Sequence, residues 1–513
     1  MKNFFDTLAN WNDVINGYVW TKIGVWLLLG TGILMTVLTV FFQVTHFGHW
    51  VKQTVGSLFK KDVIAHSKDK ASISPFQALC TALAATVGTG NIAGVATAIV
   101  TGGAGAVFWM WIAAFFGMMT NYSENVLGIY FRRRNASGEW SGGAMYYLQD
   151  GLGSKKGMRG LGKFLAGLFA VFAILASFGI GNMSQVHNIV GNVESAFPIK
   201  SLSDLHIAGS GFSVYAVILG LLLVLLGGAI IIGGLKRIAA FAEKVVPFMV
   251  VAFVIGSIAV IAVNYANILP AFKAIFVTAF RPLSVIGGGL GVLVSKVVTT
   301  GFKRGIFSNE AGLGSSVMVH SNSSVKEPVK QGMWGVFEVF ADTIVVCTMT
   351  ALVVLTSGVY NLAEGTMAEG VTESTMVAKA FNEVFPWGNI GERFIAIALF
   401  LFAFTTVLGW SHYGSKAVEY LFGQKGANVY KVIFVAMIIS GALMTSSLAW
   451  DISDTFNGLM MIPNLIGVVA LSGLVRKITK NYVNRRIKGK EEEPMLSAFP
   501  DIQAEQAAGL DEE

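Results

Sequence analysis

Apolar runs of membrane-crossing length recur at 20–43, 76–99, 105–130, 164–190, 212–233, 245–264, 287–314, 333–357, 393–420, 430–448 and 456–475. A hydrocarbon layer of about 30 Å takes roughly 20 apolar residues in helical form, so each run predicts one spanning helix, about eleven in all. The polar joints are short, which predicts one all-α polytopic membrane domain. Two runs are interrupted where an unbroken helix gains nothing from interruption. In the second run the interruption is Thr86-Val-Gly-Thr-Gly-Asn-Ile-Ala-Gly94, and in the seventh it is Thr299-Thr-Gly-Phe-Lys-Arg-Gly-Ile-Phe-Ser-Asn-Glu-Ala-Gly-Leu-Gly-Ser315. Glycine lowers helix stability by roughly 1 kcal/mol relative to alanine, so glycine clusters at bilayer depth predict opened backbone. Lipid cannot satisfy such backbone, which survives only buried in protein or lining a cavity. Both stretches therefore predict a site for a small ligand or ion.

Ten helices after a leading one make two sets of five, and an odd number per set forces the second to run inverted to the first. Interrupted helices at corresponding positions of two inverted halves point to a midplane binding site. The expected organisation is an N-terminal helix and basic loop over 1–75, a first repeat over 76–264, an external connector over 265–286, a second repeat over 287–475 and a mobile tail over 476–513. The physical reason for two breaks is charge. An amino-acid zwitterion needs both signs of partner where there is little water. Free N–H groups near Thr89 and Gly90, at the start of a half-helix, suit a carboxylate. Freed carbonyls suit an ammonium or a desolvated Na⁺.

Composition agrees with a membrane chain: 54% of residues are hydrophobic and 13% charged, with mean hydropathy +0.63, against roughly 25% charged in soluble domains. Basic loops are retained on the cytoplasmic side. Placing the N-terminus outside puts 44–75, 131–163, 234–244, 315–331, 421–429 and the C-terminal tail inside, where most Lys and Arg lie. The net charge of +7 then reflects topology, with a lipid bilayer and not nucleic acid as the partner. The N-terminus has no short apolar segment followed by a small-residue cleavage site, so the first run is expected to stay as a helix. The two cysteines, Cys80 and Cys347, fall in or near apolar runs and are expected to be packed thiols.

The runs TALAATVGTGNIAGVATAIVTGGAGAVFWMW (81–111), NYSENVLGIYFR (121–132), GAMYYL (143–148), FGIGNMSQ (178–185), GFKRGIFSNEAGLGS (301–315), ADTIVVCT (341–348), TTVLGWSHYGSKAVEYL (405–421) and MIPNLIG (461–467) resemble the alanine/glycine:cation symporter family over about residues 20–475. The resemblance implies a LeuT-like fold of 5+5 inverted repeats with one extra N-terminal helix. It implies a multi-pass protein of the bacterial cytoplasmic (inner) membrane that imports alanine or glycine with Na⁺, in some members with H⁺, and uses no organic cofactor. By the same similarity the amides at Thr89 and Gly90 face the substrate carboxylate, and Asn91 offers its side-chain oxygen to ligand or cation. The carbonyls of Ala84 and Val87, with the hydroxyls of Thr405 and Thr406, form the Na⁺ site. Thr406 also borders the substrate, Trp410 one turn on caps its side chain, and Gly301 in the second break lines the pocket. Phe178, Asn182 and Gln185 share a helix face by their spacing, and Phe178 and Gln185 are assigned to the pocket.

Each feature has a plainer reading. Gly88-Thr-Gly-Asn-Ile-Ala93 matches a dinucleotide fingerprint formally, but no strand precedes it and no acidic residue follows about twenty positions on. Gly90 and Gly94 at this spacing also suit close helix packing. Membrane threonines ordinarily bond carbonyls one turn back, and Trp410 alone reads as a core aromatic. Glu124, Lys296, Lys303, Arg304, Glu310, Asp342 and Lys416 are charges in or near apolar runs and need partners. Gating is one reading; the other is a cytoplasmic-side ion-pair network of Glu124, Glu310 and Lys416. His187 reads as a helix-end polar residue, and Ser308 and Asn309 lie in the second interrupted element. The alternatives to a transporter are a membrane-embedded enzyme, for which HExxH, GxSxG and paired-Asp motifs are missing, and a passive amino-acid channel.

Overall fold

The described parts of the expected apolar runs are largely helical. The computed structural model describes residues 2–59, 72–207, 212–281, 290–385, 387–444 and 448–510, so the first residues of the run 287–314 and most of the expected connector's end lie outside the described residues. Among the described residues seven helices are long and apolar enough to cross a membrane: Ala9–Leu38, Arg159–Ala196, Val214–Ile231, Gly234–Val263, Pro328–Thr356, Trp387–Ala442 and Asp451–Ala470. The 56-residue helix Trp387–Ala442 carries two of the expected runs and turns at Gly423, whose φ of 71° is open to glycine. The 26-residue Gly105–Tyr130 and the 20-residue Leu290–Asn309 are of crossing length but more polar.

The first interrupted run is a bent pair. Pro75–Thr86 and Gly90–Gly102 meet at 56°. The first half starts cleanly because Ser74 and Gln77 form a reciprocal capping box and Pro75 occupies the first turn, where its missing N–H costs nothing. It ends where Val87 takes φ −76°, ψ 87°.

The second interruption lies about ten residues later than its first glycine suggests. The helix Leu290–Asn309 runs unbroken through Gly301 and Gly305. The chain leaves it at Glu310, which adopts φ 55°, passes Gly312 at φ 93° and Gly314 at φ 75°, and becomes helical again at Val317–His320. A Cβ on Gly301 would stand 2.5 Å from the Ala106 carbonyl oxygen and 2.6 Å from Trp109 Cβ, so this glycine serves close packing on Gly105–Tyr130.

The tail, expected to be mobile, is laid against the bundle. The Ala498 N–H donates to the Tyr130 carbonyl at 2.9 Å, Arg134 pairs with Glu505 at 2.6 Å, and Leu496 and Ile502 are buried. Its short helix Pro500–Ala508 buries Ile502 and Gln506.

Candidate functional site

The first break is built from its own side chains. Asn91 Oδ1 accepts from the Gly88 N–H at 2.9 Å, and the Asn91 N–H donates to the Gly88 carbonyl at 3.3 Å. The oxygen expected to face ligand or cation is therefore engaged on the chain's own amide, where it shapes the turn. The half-helix restarts at Thr89, so its leading amides have no partner one turn earlier.

The other end of Asn91 reaches a residue that sequence reasoning noted only as a charge. Asn91 Nδ2 donates to Asp342 Oδ1 at 2.6 Å, and Asp342 Oδ2 accepts from Ser308 Oγ at 2.6 Å and Thr343 Oγ1 at 2.8 Å. Asn309 Nδ2 donates to Thr343 Oγ1 at 3.0 Å. Cys347 Sγ lies 3.5 Å from Asn91 Nδ2 and 3.2 Å from Ser308 Oγ. Asp342 is fully buried, and its carboxylate ties the first break to the residues leading into the second. An acid inside the run 333–357 was the available signal; its partners are remote in sequence.

A crevice of about 490 Å³ opens onto the break, with Thr89, Gly90, Thr97, Asn188, Arg304 and Phe307 in its wall. Across its mouth the Thr97 hydroxyl donates to the Glu373 carboxylate. Thr89 Oγ1 donates to Gln185 Oε1 at 3.2 Å, while Gln185 Nε2 is held by the Ile180 carbonyl at 3.1 Å. Thr89, Gly90 and Gln185 are thus brought together. His187 also borders this crevice.

Of the residues expected around Na⁺, Thr406 lies beside the break, whereas Thr405 Oγ1 lies 3.8 Å from Met249 Sδ. A Cβ on Gly88 would lie 2.6 Å from Thr406 Oγ1 and 3.6 Å from Gln185 Oε1, and a Cβ on Gly409 would lie 2.6 Å from that of Ala85. These close approaches set the helix segment carrying Thr406 and Gly409 against Ala85 and Gly88. The Thr405 and Thr406 hydroxyls both donate to the Phe402 carbonyl at 3.0 Å, the ordinary arrangement for membrane threonine. A donating hydroxyl still presents lone pairs, so the bond does not bar oxygen coordination of a cation.

Three expected pocket residues lie elsewhere. Gly301 is buried in the packing contact described above. Phe178 stacks with Tyr430 and Phe434 at ring separations of 5.3 and 5.9 Å. Asn182 shares the Phe434 neighbour, donating from Nδ2 to its carbonyl at 2.7 Å, whereas past the wide turn Gly179–Met183 the Gln185 side chain meets Thr89 instead. Trp410 packs over Gly181 and donates from Nε1 to Glu310 Oε1 at 2.9 Å, which makes it a support of the second break and not a cap on the crevice.

The intramembrane acids also differ from the expected ion-pair network. Glu310 accepts from Ser315 Oγ at 2.5 Å as well as from Trp410, and Glu124 accepts from Asn464 Nδ2, which itself donates to the Gly312 carbonyl at 2.8 Å. Both acids brace the irregular segment through neutral donors. Lys416 pairs with Glu419 at 2.9 Å and Lys303 with Asp454 at 2.6 Å.

Comparison with known proteins agrees with this architecture. Residues 5–496 match the model of the sodium:alanine symporter family. The sodium/alanine symporter AgcS of Methanococcus maripaludis is 41% identical over 470 residues, spanning 92% of this chain and 96% of that protein. Two solved LeuT-type transporters share the fold at 14% identity. One is a Na⁺-coupled sialic acid symporter in an outward-open state, with TM-score 0.51 over 96% of each chain. The other is MhsT in complex with L-phenylalanine, with TM-score 0.50 over 80% of this chain and 99% of that one.

Proposed function

We propose for this chain, which belongs to the sodium:alanine symporter family, a transport cycle in which a small neutral amino acid, alanine or glycine, enters the crevice and crosses with Na⁺ by alternating access. The observation that carries this reading is the parted helix at Thr86–Gly90, whose opened backbone borders an accessible crevice on one side and a hydroxyl-bearing corner on the other. The substrate carboxylate meets the leading amides at Thr89 and Gly90, with the Thr89–Gln185 hydroxyl–amide pair beside it. Restriction to small side chains rests on Phe307, whose ring stands 3.1 Å from where a Cβ of Gly90 would be. Na⁺ is carried as cargo at the carbonyls of Ala84 and Val87 and the hydroxyls of Thr405 and Thr406, a set of hard oxygens suited to it.

Coupling follows from the shared backbone. A cation bound where the first half-helix ends fixes the same turn whose other side holds the carboxylate, so each ligand raises the affinity of the other by the same factor. The two five-helix halves, 76–264 and 287–475, move relative to one another, with the N-terminus outside and the tail cytoplasmic in an inner membrane. The basic loops support that orientation.

Purified protein sealed in vesicles tests the reading. Labelled alanine should accumulate above its external concentration only under an inward Na⁺ gradient and collapse when the gradient is dissipated. Mere equilibration would indicate a channel, and a chemically altered label an enzyme. In the same assay Thr406→Val, which keeps shape and removes the hydroxyl, should raise the Na⁺ concentration for half-maximal uptake about tenfold or more, since a bond to a charged partner contributes about 1.5–3 kcal/mol. Unchanged sodium dependence would remove Thr406 from the cation corner.

A further inference from the structure

We infer that Arg304 anchors the carboxylate in an outer amino-acid subsite, where the incoming zwitterion is held between this guanidinium and the Glu373 carboxylate before it passes Phe307 to the opened backbone. The inference rests on the amino-acid reading above and adds to it the step by which cargo is captured.

Two helices that wall the crevice fix where Arg304 stands. A Cβ on Gly90 would lie 3.1 Å from the Phe307 ring, and a Cβ on Gly102 would lie 3.1 Å from Thr300 Cβ. The half-helix Gly90–Gly102 and the helix Leu290–Asn309 therefore run antiparallel, with Phe307 level with the break and Thr300 level with the far end. Arg304 falls between them. It precedes Phe307 by three residues, about 4.5 Å along the axis at about 1.5 Å per residue, toward the mouth spanned by Thr97 and Glu373. A carboxylate at Arg304 has thus entered the crevice without yet reaching Thr89 and Gly90.

The side chain itself points to a ligand. Arg304 is half-buried and lines the crevice, yet its guanidinium makes no hydrogen bond or ion pair among the described residues. Five N–H donors in a rigid fork, partly withdrawn from water, call for a planar two-oxygen acceptor. The acids whose charges act on Arg304 are Asp454 and Glu373, and neither supplies one. Asp454 is engaged by Lys303 at 2.6 Å and by Asn16 Nδ2 at 2.9 Å. Glu373 accepts the Thr97 hydroxyl on Oε1, and its Oε2 has no hydrogen-bond partner among the described residues.

The charge pattern selects a zwitterion. Arg304 and Glu373 are the charged side chains of the crevice wall, one of each sign, and His187 is the other titratable one. A free anion is repelled by Glu373 and a free cation by Arg304. An α-amino acid satisfies both, its carboxylate taking the fork in a bidentate pair and its ammonium taking the open Glu373 oxygen. There is room for it. At about 30 Å³ per water the crevice of about 490 Å³ holds about sixteen waters, so a small amino acid at the break leaves space outside Phe307 for another.

Initial rates of labelled-alanine uptake into vesicles of purified full-length protein, at saturating Na⁺, test the inference through the split between KM and maximal rate. Arg304→Gln should raise KM at least tenfold, while the maximal rate and the Na⁺ concentration for half-maximal uptake at saturating alanine stay within threefold of wild type. Arg304→Lys keeps the charge without the fork and should raise KM about threefold. The charge-exchanged double variant, Arg304→Glu with Glu373→Arg, should keep KM at least tenfold high, because the carboxylate would then be held at the mouth and turned away from the Thr89 and Gly90 amides. Recovery of that variant to within threefold of wild type would show that the two side chains serve only to pair with each other, and would overturn the subsite. A KM of Arg304→Gln within twofold of wild type, or a fallen maximal rate at unchanged KM, would overturn it equally. Should Arg304→Gln fail to fold, a wild-type KM in Arg304→Lys does so in its place. Wild-type protein that accumulates no alanine under a sodium gradient would instead overturn the amino-acid reading itself, so the two failures are distinguishable.

Discussion

Asp342→Ala should lower sodium-driven alanine uptake at least thirtyfold at equal membrane abundance. The carboxylate receives Asn91 Nδ2 from the first break and Ser308 Oγ from the helix leading to the second, both at 2.6 Å. Truncation leaves three buried donors, Asn91 Nδ2, Ser308 Oγ and Thr343 Oγ1, unanswered at about 1–3 kcal/mol each, and about 2 kcal/mol already corresponds to about thirtyfold. On the proposed site the loss should fall on both cargoes, because Asn91 shapes the turn to which both the substrate carboxylate and Na⁺ are assigned. Asp342→Asn should be intermediate. An amide oxygen still accepts from one side of the carboxylate's donors, Asn91 or the Ser308–Thr343 pair, but its N–H₂ must face the other. Flux of Asp342→Ala within threefold of wild type would show that the two breaks are held together by something else, and would remove the bridge from the mechanism.

The first break was legible because glycine and polar residues coincide at membrane depth, where each alone is costly. For the second, the stretch read as interrupted, 299–315, contains the break but only in its last third. Gly301 and Gly305 are small for packing on Gly105–Tyr130, whereas the chain departs from helix only at Glu310, and a sequence cannot say which use a glycine serves. Thr89 and Gln185 are joined by one tertiary contact, which lies within reach of local spacing. Phe178 stacks with Tyr430 and Phe434 instead, on the far side of the wide turn Gly179–Met183, which regular periodicity does not register. Trp410 and the acids Glu124 and Glu310 were read without knowledge of their partners. Their donors come from Ser315, Trp410 and Asn464, and such neutral bracing has no periodic signature to read. The tail was misjudged on composition, which reports solvation but not whether a few apolar residues such as Leu496 find a groove.

Gly88→Ala carries the second large expectation, because it tests where the cation corner is. The added methyl would stand 2.6 Å from Thr406 Oγ1, closer than real Cβ contacts allow, with Gln185 Oε1 a further 1 Å away at 3.6 Å. Thr406 is β-branched and helical, so its side chain has little rotational freedom, and relief comes from turning the hydroxyl away or parting the helices. Overpacking of this kind costs about 1–3 kcal/mol, which predicts a rise of about 5- to 150-fold in the Na⁺ concentration for half-maximal uptake. The double variant Gly88→Ala with Thr406→Ala separates the two effects. Removing the crowded hydroxyl should return thermal stability toward that of Thr406→Ala alone, while sodium dependence stays weak because an oxygen ligand is missing. If the single variant moved stability but left sodium dependence at the wild-type value, the crowding would be real and the cation would lie elsewhere. If it moved neither, the close approach of Gly88 and Thr406 would itself be refuted.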